Sequence, residues 1–336
     1  MIRLPPPLHL RWRRRRLLWA AFRSRHALRA MQDRSAALPP GVVAVSCVRN
    51  EIDRLPWFLR HHRALGVSHF LFVDNGSDDG TAQYLADQPD TSVWVTQAGY
   101  RAARFGMDWL TWLQMRHLHG RWSLTLDADE LLVYDGMDRH ALPDLTALLQ
   151  RRGQQAFGAL MLDLYPQGPI GTGRYEPDTD PALVLPGFDA GPYRAARQRP
   201  AGNLWVQGGA RERAFFASDP ARSPTLNKLP LVRWNRGFAY TNSTHAALPP
   251  RLNRAYDGPA DRRPCGVLLH TKFLPGIVAR SAQEKARQQH FTRPEAFDGY
   301  YDAIGRKPTL WYDETRRYDG PKSLIEAGLM PPIAWL

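Results

Sequence analysis

A regular alternation of strand-like and helix-like segments constrains the fold of this chain more than any other feature. Strands are predicted at residues 42–47, 69–73, 93–95 and 122–126, where short apolar runs are bounded by turn residues. Helices are predicted at 55–65 and 107–119, and a third opens after the turn at 74–81. This order predicts an α/β fold with a doubly wound, mainly parallel sheet flanked by helices.

Polar clusters follow three of the predicted strands. Residues 49–51 (Arg-Asn-Glu) follow the first strand, the acidic turn 74–81 follows the second, and residues 127–130 (Asp-Ala-Asp-Glu) follow the fourth. Open α/β sheets bind ligands beyond the carboxyl ends of their strands, so the three clusters are predicted to converge there. Turns and helix caps have a similar composition, and for Asp78 and Asp79 taken alone that structural role is favoured.

Asp127 and Asp129 are more difficult to explain as turn residues. Two carboxylates one residue apart repel each other unless a cation or a hydrogen-bond donor lies between them. Hard oxygen ligands of this kind suit Mg²⁺ or Mn²⁺ carrying substrate phosphates. A divalent metal is therefore the predicted cofactor.

The ordered set of motifs resembles the family 2 glycosyltransferases, which have the GT-A fold. The resemblance rests on the clusters at 49–51 and 126–130, on the segment 59–67 and on the turn 73–81, in the order and spacing of that family. It covers residues 41–135 well and continues weakly to about residue 275. GT-A-like architecture is therefore the expected fold.

The resemblance implies a nucleotide-diphosphate sugar as donor, with UDP favoured as the nucleotide, and a carbohydrate or glycolipid hydroxyl as acceptor. Arg49, Glu51 and Asp74 match the positions that hold the nucleobase and ribose. Asp127 and Asp129 match the Asp-x-Asp pair that holds the ribose and the divalent ion. The implied activity is that of a hexosyltransferase in surface polysaccharide or glycolipid synthesis.

Two further site residues are expected from the segment after the acceptor region. Metal-dependent GT-A enzymes commonly supply a third ligand there, often histidine, and His270 ends the apolar run 267–269. Lys272 is the corresponding candidate for a pyrophosphate contact. A histidine in this setting is also compatible with a core position.

The resemblance implies inversion by direct displacement, which requires a carboxylate to accept the proton of the acceptor hydroxyl. Asp163, Asp189 and Glu212 are the candidates. Glu212 ranks first, since the glycines at 208–209 would allow a bound sugar to approach and the neighbouring arginines could keep the carboxylate ionised. Asp189 is second, and a surface ion pair is the alternative role for Glu212.

Three regions are predicted. Residues 1–39 form a basic arm, 40–275 the glycosyltransferase domain, and 276–336 a C-terminal extension. The domain divides into a nucleotide-sugar half at 40–135 and an acceptor half at 136–275. In the acceptor half, Pro- and Gly-rich loops up to about residue 200, together with residues 208–213, are the candidate acceptor wall and lid.

The positive charge is concentrated in the arm. The net charge of the chain is +13, and residues 1–34 hold ten arginines against one acid. Either the arm lies on an anionic membrane surface or it is a solvated tail. The predicted membrane face comprises Leu10, Leu17, Leu18, Ala21, Phe22 and Leu28.

The apolar run 17–22 is too short for a signal peptide or a spanning helix, which need about 7–15 and about 20 residues. Two cysteines, Cys47 and Cys265, cannot build a disulfide framework. We therefore expect a cytoplasmic protein, peripheral on the inner membrane face if the arm binds lipid.

Two other classes compete with this interpretation. A sugar-1-phosphate nucleotidyltransferase has a similar sheet, but its first strand usually leads into a Gly-rich loop, and residues 49–53 contain no glycine. A non-enzymatic nucleic-acid-binding protein would carry basic and aromatic residues on the folded body, whereas the excess charge lies in the arm. Nucleic acid is therefore not an expected partner.

Overall fold

Strands and helices alternate along the chain in the computed structural model, which describes residues 8–287 and 298–335. The strands are β1 (Arg29–Gln32), β2 (Val42–Val48), β3 (Val67–Asp74), β4 (Thr91–Val95), β5 (Trp122–Thr125), β6 (Glu130–Val133), β7 (Ala156–Asp163), β8 (Gly187–Phe188), β9 (Tyr193–Gln198), β10 (Asn203–Gly208), β11 (Asn227–Arg233), β12 (Ala239–Tyr240), β13 (Ala247–Leu248), β14 (Gly266–His270) and β15 (Arg316–Arg317). The helices are α1 (Leu8–Ser24), α2 (Leu55–Ala64), α3 (Thr81–Asp87), α4 (Met107–His117), α5 (Leu142–Arg151), α6 (Gly209–Phe215), α7 (Ile277–Arg287), α8 (Asp298–Gly305) and α9 (Pro321–Glu326).

One large sheet organises the molecule. Its strand order across the described residues is β1-β4-β3-β2-β5-β11-β7-β14-β6. Of these nine strands in the described part of the chain, six run in one direction and β1, β11 and β6 run in the other. The prediction of an α/β fold with a mainly parallel sheet is confirmed.

Helices cover both faces of this sheet. Along β2, Val42 and Ala44 belong to one apolar cluster and Val43 and Val45 to another, because successive side chains of a strand point to opposite faces. Residues of α2, α3 and α5 pack in the first cluster, and residues of α4 pack in the second. The doubly wound arrangement that the alternation predicted is therefore present.

The second half of the chain contains more regular structure than its sequence indicates. Residues predicted as loops up to about 200 include the strand β9, which forms an antiparallel hairpin with β10. Residues 209–213, interpreted as part of a glycine-rich turn, lie in α6. Strand β6 and helix α5 were also not predicted. The C-terminal helices α8 and α9 pack through Tyr300, Ile304 and Leu324 in the same apolar cluster as the sheet.

The N-terminal segment is part of the fold over residues 8–37. Strand β1 pairs antiparallel with β4 at the sheet edge, and Phe22 of α1 packs edge to face on Trp112 of α4, with centroids 5.7 Å apart. Leu10 and Ala21 are buried. The prediction of a solvated tail is wrong for these residues, and the predicted membrane face is wrong too, because it packs against the body.

No helix within residues 8–287 and 298–335 is both long enough and apolar enough to span a bilayer. No disulfide joins Cys47 and Cys265, both of which lie in the described part of the chain, and Cys265 is buried.

Gly158 in β7 permits the close packing of Tyr256 on the sheet. A Cβ added at Gly158 would lie 2.1 Å from the Tyr256 Cβ. We expect Gly158→Ala to lower the free energy of unfolding by about 1–3 kcal/mol, because overpacking a filled core shifts backbone and side chains. Urea denaturation measures this difference.

Gly168→Ala is the matched control, because an added Cβ there meets no atom within 4 Å. Equal free energies of unfolding for the two variants would contradict the prediction.

Candidate functional site

The candidate site lies at the carboxyl edge of the sheet, where β2 is flanked by β3 on one side and β5 on the other. The chain order reverses at this point, and such a reversal opens a crevice for ligands. Residues 49–51 follow β2, Asp74 ends β3, and residues 127–130 follow β5. Strands β7 and β14 run in the same direction and end there with Asp163 and His270.

Asp127 is held by a buried lysine. The Lys228 Nζ of β11 lies 2.9 Å from the Asp127 Oδ2 and 2.9 Å from the Glu130 Oε1. The Lys228 side chain is 3% exposed, whereas Asp127 is 46% exposed. Asp127 thus presents its carboxylate to the crevice while Lys228 neutralises it from the protein interior.

Asp129 lies beside His270. Its Oδ2 is 3.2 Å from the His270 Nε2, and the opposite ring nitrogen, Nδ1, is 2.6 Å from the Asp163 Oδ1. The register of the sheet explains this, because β14 pairs His270 with Asp163 of β7. Arg211 of α6 donates from its Nε to the other oxygen of Asp163, at 2.7 Å. A carboxylate that contacts one ring nitrogen of a histidine fixes the direction in which the other ring nitrogen faces.

These contacts shift the pKa values of the buried acids and bases. Burial alone would raise the pKa of Asp129, but the neighbouring His270 and Arg54 hold it well below its usual range. Burial alone would lower the pKa of His270, but Asp129 and Asp163 raise it. Burial raises the pKa of Glu130 to about 7 despite the opposing effect of Lys228.

The three predicted metal ligands do not form one cluster. Within residues 8–287 and 298–335 no group of three or more His, Cys, Asp or Glu side chains is arranged to hold a metal ion. Asp129 and His270 are adjacent, and Asp163 orients the ring so that Nε2 faces Asp129. Asp127 is directed to Lys228. A divalent ion at this place would have at most Asp129 and His270 as protein ligands, and the two side chains contact each other in this structure, so phosphate and water would have to supply the other ligands.

Arg49 and Asp74 stabilise the loops at this edge. Arg49 donates from Nη1 to the carbonyl of Asn75, at 2.8 Å. The Asp74 Oδ1 accepts hydrogen bonds from the backbone N–H groups of Gly76 and Ser77, both at 3.0 Å, and the Ser77 hydroxyl donates to Oδ2. The sequence predicts nucleotide contacts for both residues, and in this structure both organise the crevice wall.

Glu51 is bound by two arginines. Its Oε2 lies 2.7 Å from the Arg54 Nη1 and 2.8 Å from the Arg280 Nη1 of α7. The contact with α7 connects the C-terminal part of the chain to the segment after β2. Glu51 is 19% exposed, so these two ion pairs do not bury it completely.

Lys272 differs from the other cations near the site. In the part of the chain that the structure describes, it forms no hydrogen bond or ion pair, and its side chain is partly exposed. Burial lowers its pKa, and the charge of Asp129 acts in the opposite direction. It is a cation close to Asp129 without a carboxylate partner of its own.

Glu212 and Asp189, the two predicted bases, are held by arginines. Arg194 forms a bidentate pair with Glu212 at 2.6 and 2.7 Å, and the Ser223 hydroxyl donates to Glu212 at 2.7 Å. The expectation that Arg211 and Arg213 neutralise Glu212 is wrong, because Arg211 pairs with Asp163.

Arg213 donates two hydrogen bonds to Asp189, at 2.9 and 3.0 Å, and the Tyr165 hydroxyl donates a third at 2.6 Å. Both carboxylates are therefore engaged in this structure. The glycines at 208–209 allow another segment of the chain to come close, whereas the sequence predicted the approach of a bound sugar. A Cβ on Gly208 would lie 2.1 Å from the Pro192 carbonyl oxygen, so the segment before β9 occupies the space that the sequence assigned to a sugar.

Several residues of the site were given no site role by the sequence: Arg54, Arg211, Lys228 and Arg280. Lys228 could have been identified from the sequence, because it interrupts an apolar strand. A lysine inside a central strand requires a buried acid as partner. Arg211 and Arg280 could not have been identified in this way, because their partners are far away in sequence. His61 and His62 have structural contacts: each ring contacts a backbone carbonyl, of Leu132 and Phe58 respectively, at 2.8 Å.

Comparison with known proteins yields weak similarities. No protein-family model matches the chain, and no curated protein matches it significantly. A mannosyltransferase from Pyrobaculum calidifontis, solved in complex with GDP-Man and Mn²⁺, is 13% identical over 89% of this chain and 79% of that chain, with a TM-score of 0.32.

A UDP-glucose pyrophosphorylase from Acinetobacter baumanii is 9% identical over 78% of this chain and 98% of that chain, with a TM-score of 0.29. A 4-diphosphocytidyl-2C-methyl-D-erythritol synthase is 16% identical over 43% of this chain and 67% of that chain, with a TM-score of 0.25. Similarities of this strength carry no argument about activity, so the functional assignment rests on the site itself.

Replacing Asp163 tests the charge arrangement around His270. We expect Asp163→Asn to lower the pKa of His270, because the amide keeps the shape of the carboxylate but removes a charge that favours the imidazolium. NMR titration of the imidazole signals measures the change. We also expect the free energy of unfolding to fall by about 3 kcal/mol, since Arg211 is left buried without its counter-charge.

Asp138→Asn is the control, because Asp138 is 73% exposed and its ion pair is with Arg139, outside the buried cluster. An unchanged pKa of His270 in Asp163→Asn would show that Asp163 does not govern the ring.

Proposed function

We propose that the chain is a glycosyltransferase that moves a sugar from a nucleotide-diphosphate sugar to a hydroxyl of a carbohydrate or glycolipid acceptor. The observation that carries the proposal is that Asp127 contacts Lys228 and Asp129 contacts His270 at the carboxyl edge of the sheet. Parallel α/β sheets bind ligands in crevices at this edge. The resemblance over residues 41–135 supplies the class of donor, and UDP is the favoured nucleotide.

The donor diphosphate lies, in this proposal, against Lys272. Lys228, Arg54 and Arg211 each have a carboxylate partner among the described residues, so their charge is already compensated. Lys272 has none in that part of the chain, and a phosphate oxygen would supply one. Arg49, Glu51 and Asp74 form the wall at which the nucleobase and ribose are proposed to bind.

A divalent ion, Mn²⁺ or Mg²⁺, is proposed between Asp129 and His270, with Asp163 holding the imidazole in orientation. Such an ion neutralises charge on the leaving diphosphate. Lys228 and Arg211 together face three carboxylates, those of Asp127, Glu130 and Asp163, so these two cations supply no surplus positive charge. A bound diphosphate therefore adds negative charge that the protein side chains do not fully compensate, which favours a metal-dependent reaction.

Calorimetry of UDP and GDP binding tests the donor and the metal together. We expect Mn²⁺ to tighten the binding of both nucleotides, with UDP bound more tightly. We expect Asp129→Asn to lose about tenfold or more of the affinity gained with Mn²⁺, because it replaces a charged ligand with a neutral amide. Asp138→Asn is the control at an exposed site.

Nucleotide binding that ignores Mn²⁺ and is unchanged in Asp129→Asn would contradict the proposed metal site. Release of pyrophosphate from a nucleoside triphosphate and a sugar 1-phosphate would instead identify a nucleotidyltransferase and contradict the proposed reaction.

The base that accepts the acceptor proton is proposed to be Asp189 or Glu212. Inverting transfer by direct displacement needs a carboxylate close to the acceptor hydroxyl. The sequence ranks Glu212 first, but the structure favours Asp189, because residues 190–192 directly after it line a cavity of about 640 Å³ together with residues 312–316. That cavity is the proposed acceptor space. Access to Asp189 requires its carboxylate to exchange a contact with Arg213 for the acceptor hydroxyl.

A comparison of two amide variants separates the candidates. We expect Asp189→Asn to reduce transfer by about 10²-fold or more while nucleotide binding is retained, because a base acts on the acceptor and not on the donor. Glu212→Gln should retain most of the transfer rate, since in this proposal the contacts of Glu212 with Arg194 and Ser223 serve the structure and not the chemistry. Near-normal transfer in Asp189→Asn, with a loss in Glu212→Gln, would return the assignment to Glu212.

A further inference from the structure

Helix α1 has two different apolar faces. The inner face packs against the body: Leu10 is 2% exposed, Ala21 is fully buried, and Leu17 packs with Leu10 against Ala201 and Leu248. The outer face carries Leu8, Trp12 and Trp19, which are 71%, 63% and 61% exposed. At 100° per residue these three side chains lie within about 40° of one another around the helix.

This outer patch is unusual for the molecule. In the described residues, the large apolar side chains classed as exposed are Leu8, Trp12, Met31, Trp19 and Leu183. Three of these described side chains share one helical face, and the fixed inner face prevents α1 from turning them inward. A clustered and outward-facing patch of this kind marks an interaction surface.

Exposed arginines surround the patch. Arg11, Arg15, Arg16 and Arg23 are exposed, and none of them has an acidic partner among the described residues. The guanidinium of Arg15 lies 5.4 Å from the centre of the Trp12 ring. The first 32 residues of the sequence contain no acid at all. The natural complement of this surface is therefore apolar at its centre and anionic around it.

We propose that α1 docks the chain on an anionic lipid bilayer, with Leu8, Trp12 and Trp19 entering the interface and the arginines contacting lipid phosphates. Tryptophan rings flanked by basic side chains are typical of helices that lie in the bilayer interface. Single-stranded nucleic acid would use aromatic rings for stacking, and aliphatic Leu8, the most exposed of the three, offers no such surface. This inference is independent of the proposed transferase activity.

A cavity lies between α1 and the loop after β4. Arg16, Trp19 and Arg23 line a space of about 470 Å³ with Ala98 and Ala102 of the loop after β4. The Asn75 side chain, from the turn after β3, donates to the Ala98 carbonyl at 2.9 Å. The docked helix would thus place the crevice edge of the sheet near the membrane surface, where a lipid headgroup can enter the cavity.

Sedimentation of the full chain with vesicles tests the proposal. We expect binding to vesicles of phosphatidylcholine with phosphatidylglycerol, none to pure phosphatidylcholine, and release at high salt, because screening weakens contacts between arginine and phosphate. The double variant Trp12→Ser/Trp19→Ser should lose at least about tenfold in affinity. The double variant Arg15→Gln/Arg16→Gln should lose a similar factor in affinity for the vesicles, and only at low salt.

Leu183→Ser and Arg306→Gln are the matched controls, because each removes an exposed side chain of the same type outside α1. Circular dichroism verifies that every variant is folded. Binding of Trp12→Ser/Trp19→Ser equal to that of the unaltered chain would overturn the proposal, as would the absence of binding to anionic vesicles. Tighter binding to single-stranded DNA than to the vesicles, with the same dependence on Trp12 and Trp19, would overturn it in favour of nucleic acid.

Discussion

The ammonium group of Lys228, buried between Asp127 and Glu130, is the interaction on which the carboxyl edge of the sheet depends. Asp127 follows the end of β5 and Glu130 begins the oppositely directed β6, so the two acids meet at the same edge of the sheet, and Glu130 is buried there. A buried carboxylate without a counter-charge is strongly destabilising. Strand β11, which runs antiparallel to its neighbours β5 and β7, supplies the required cation from within the sheet.

The same requirement shapes the neighbouring strand ends. Asp163 closes β7 and is only 2% exposed, so it needs both Arg211 of α6 and the ring of His270. Helix α6 therefore has a structural reason to follow β10 directly, because it carries Arg211 back to the sheet edge. In a metal-binding site the same contact orients the imidazole. One set of buried ion pairs thus stabilises the fold and fixes the directions of the site residues.

The sequence predicted the sheet and its helices well, because residues 42–126 follow the periodicities of buried strands and amphipathic helices closely. It also predicted from the strand ends that residues 127–130 lie at the carboxyl edge of the sheet, and from the family resemblance that His270 belongs to the same site. It did not predict the partners of Glu212 and Asp189, because the choice among several arginines depends on the hairpin of β9 and β10, whose polar residues lack a clear period. Long-range ion pairs have no local signal, and only the tertiary structure decides them.

The positive charge of the chain divides into two groups with different physical roles. The buried cations at the sheet edge, such as Lys228 and Arg211, are matched by acids and contribute little to the external field. The arginines of α1 have no such partners among the described residues, so their field extends into solvent over about one Debye length, roughly 8–10 Å at moderate salt. The net charge of +13 therefore mainly reflects the arginines on the surface of α1, and it does not describe the charge of the candidate site. Because Leu10 and Ala21 fix α1 to the body, that surface keeps a constant orientation relative to the crevice, and any anionic partner that it attracts meets the molecule from one side.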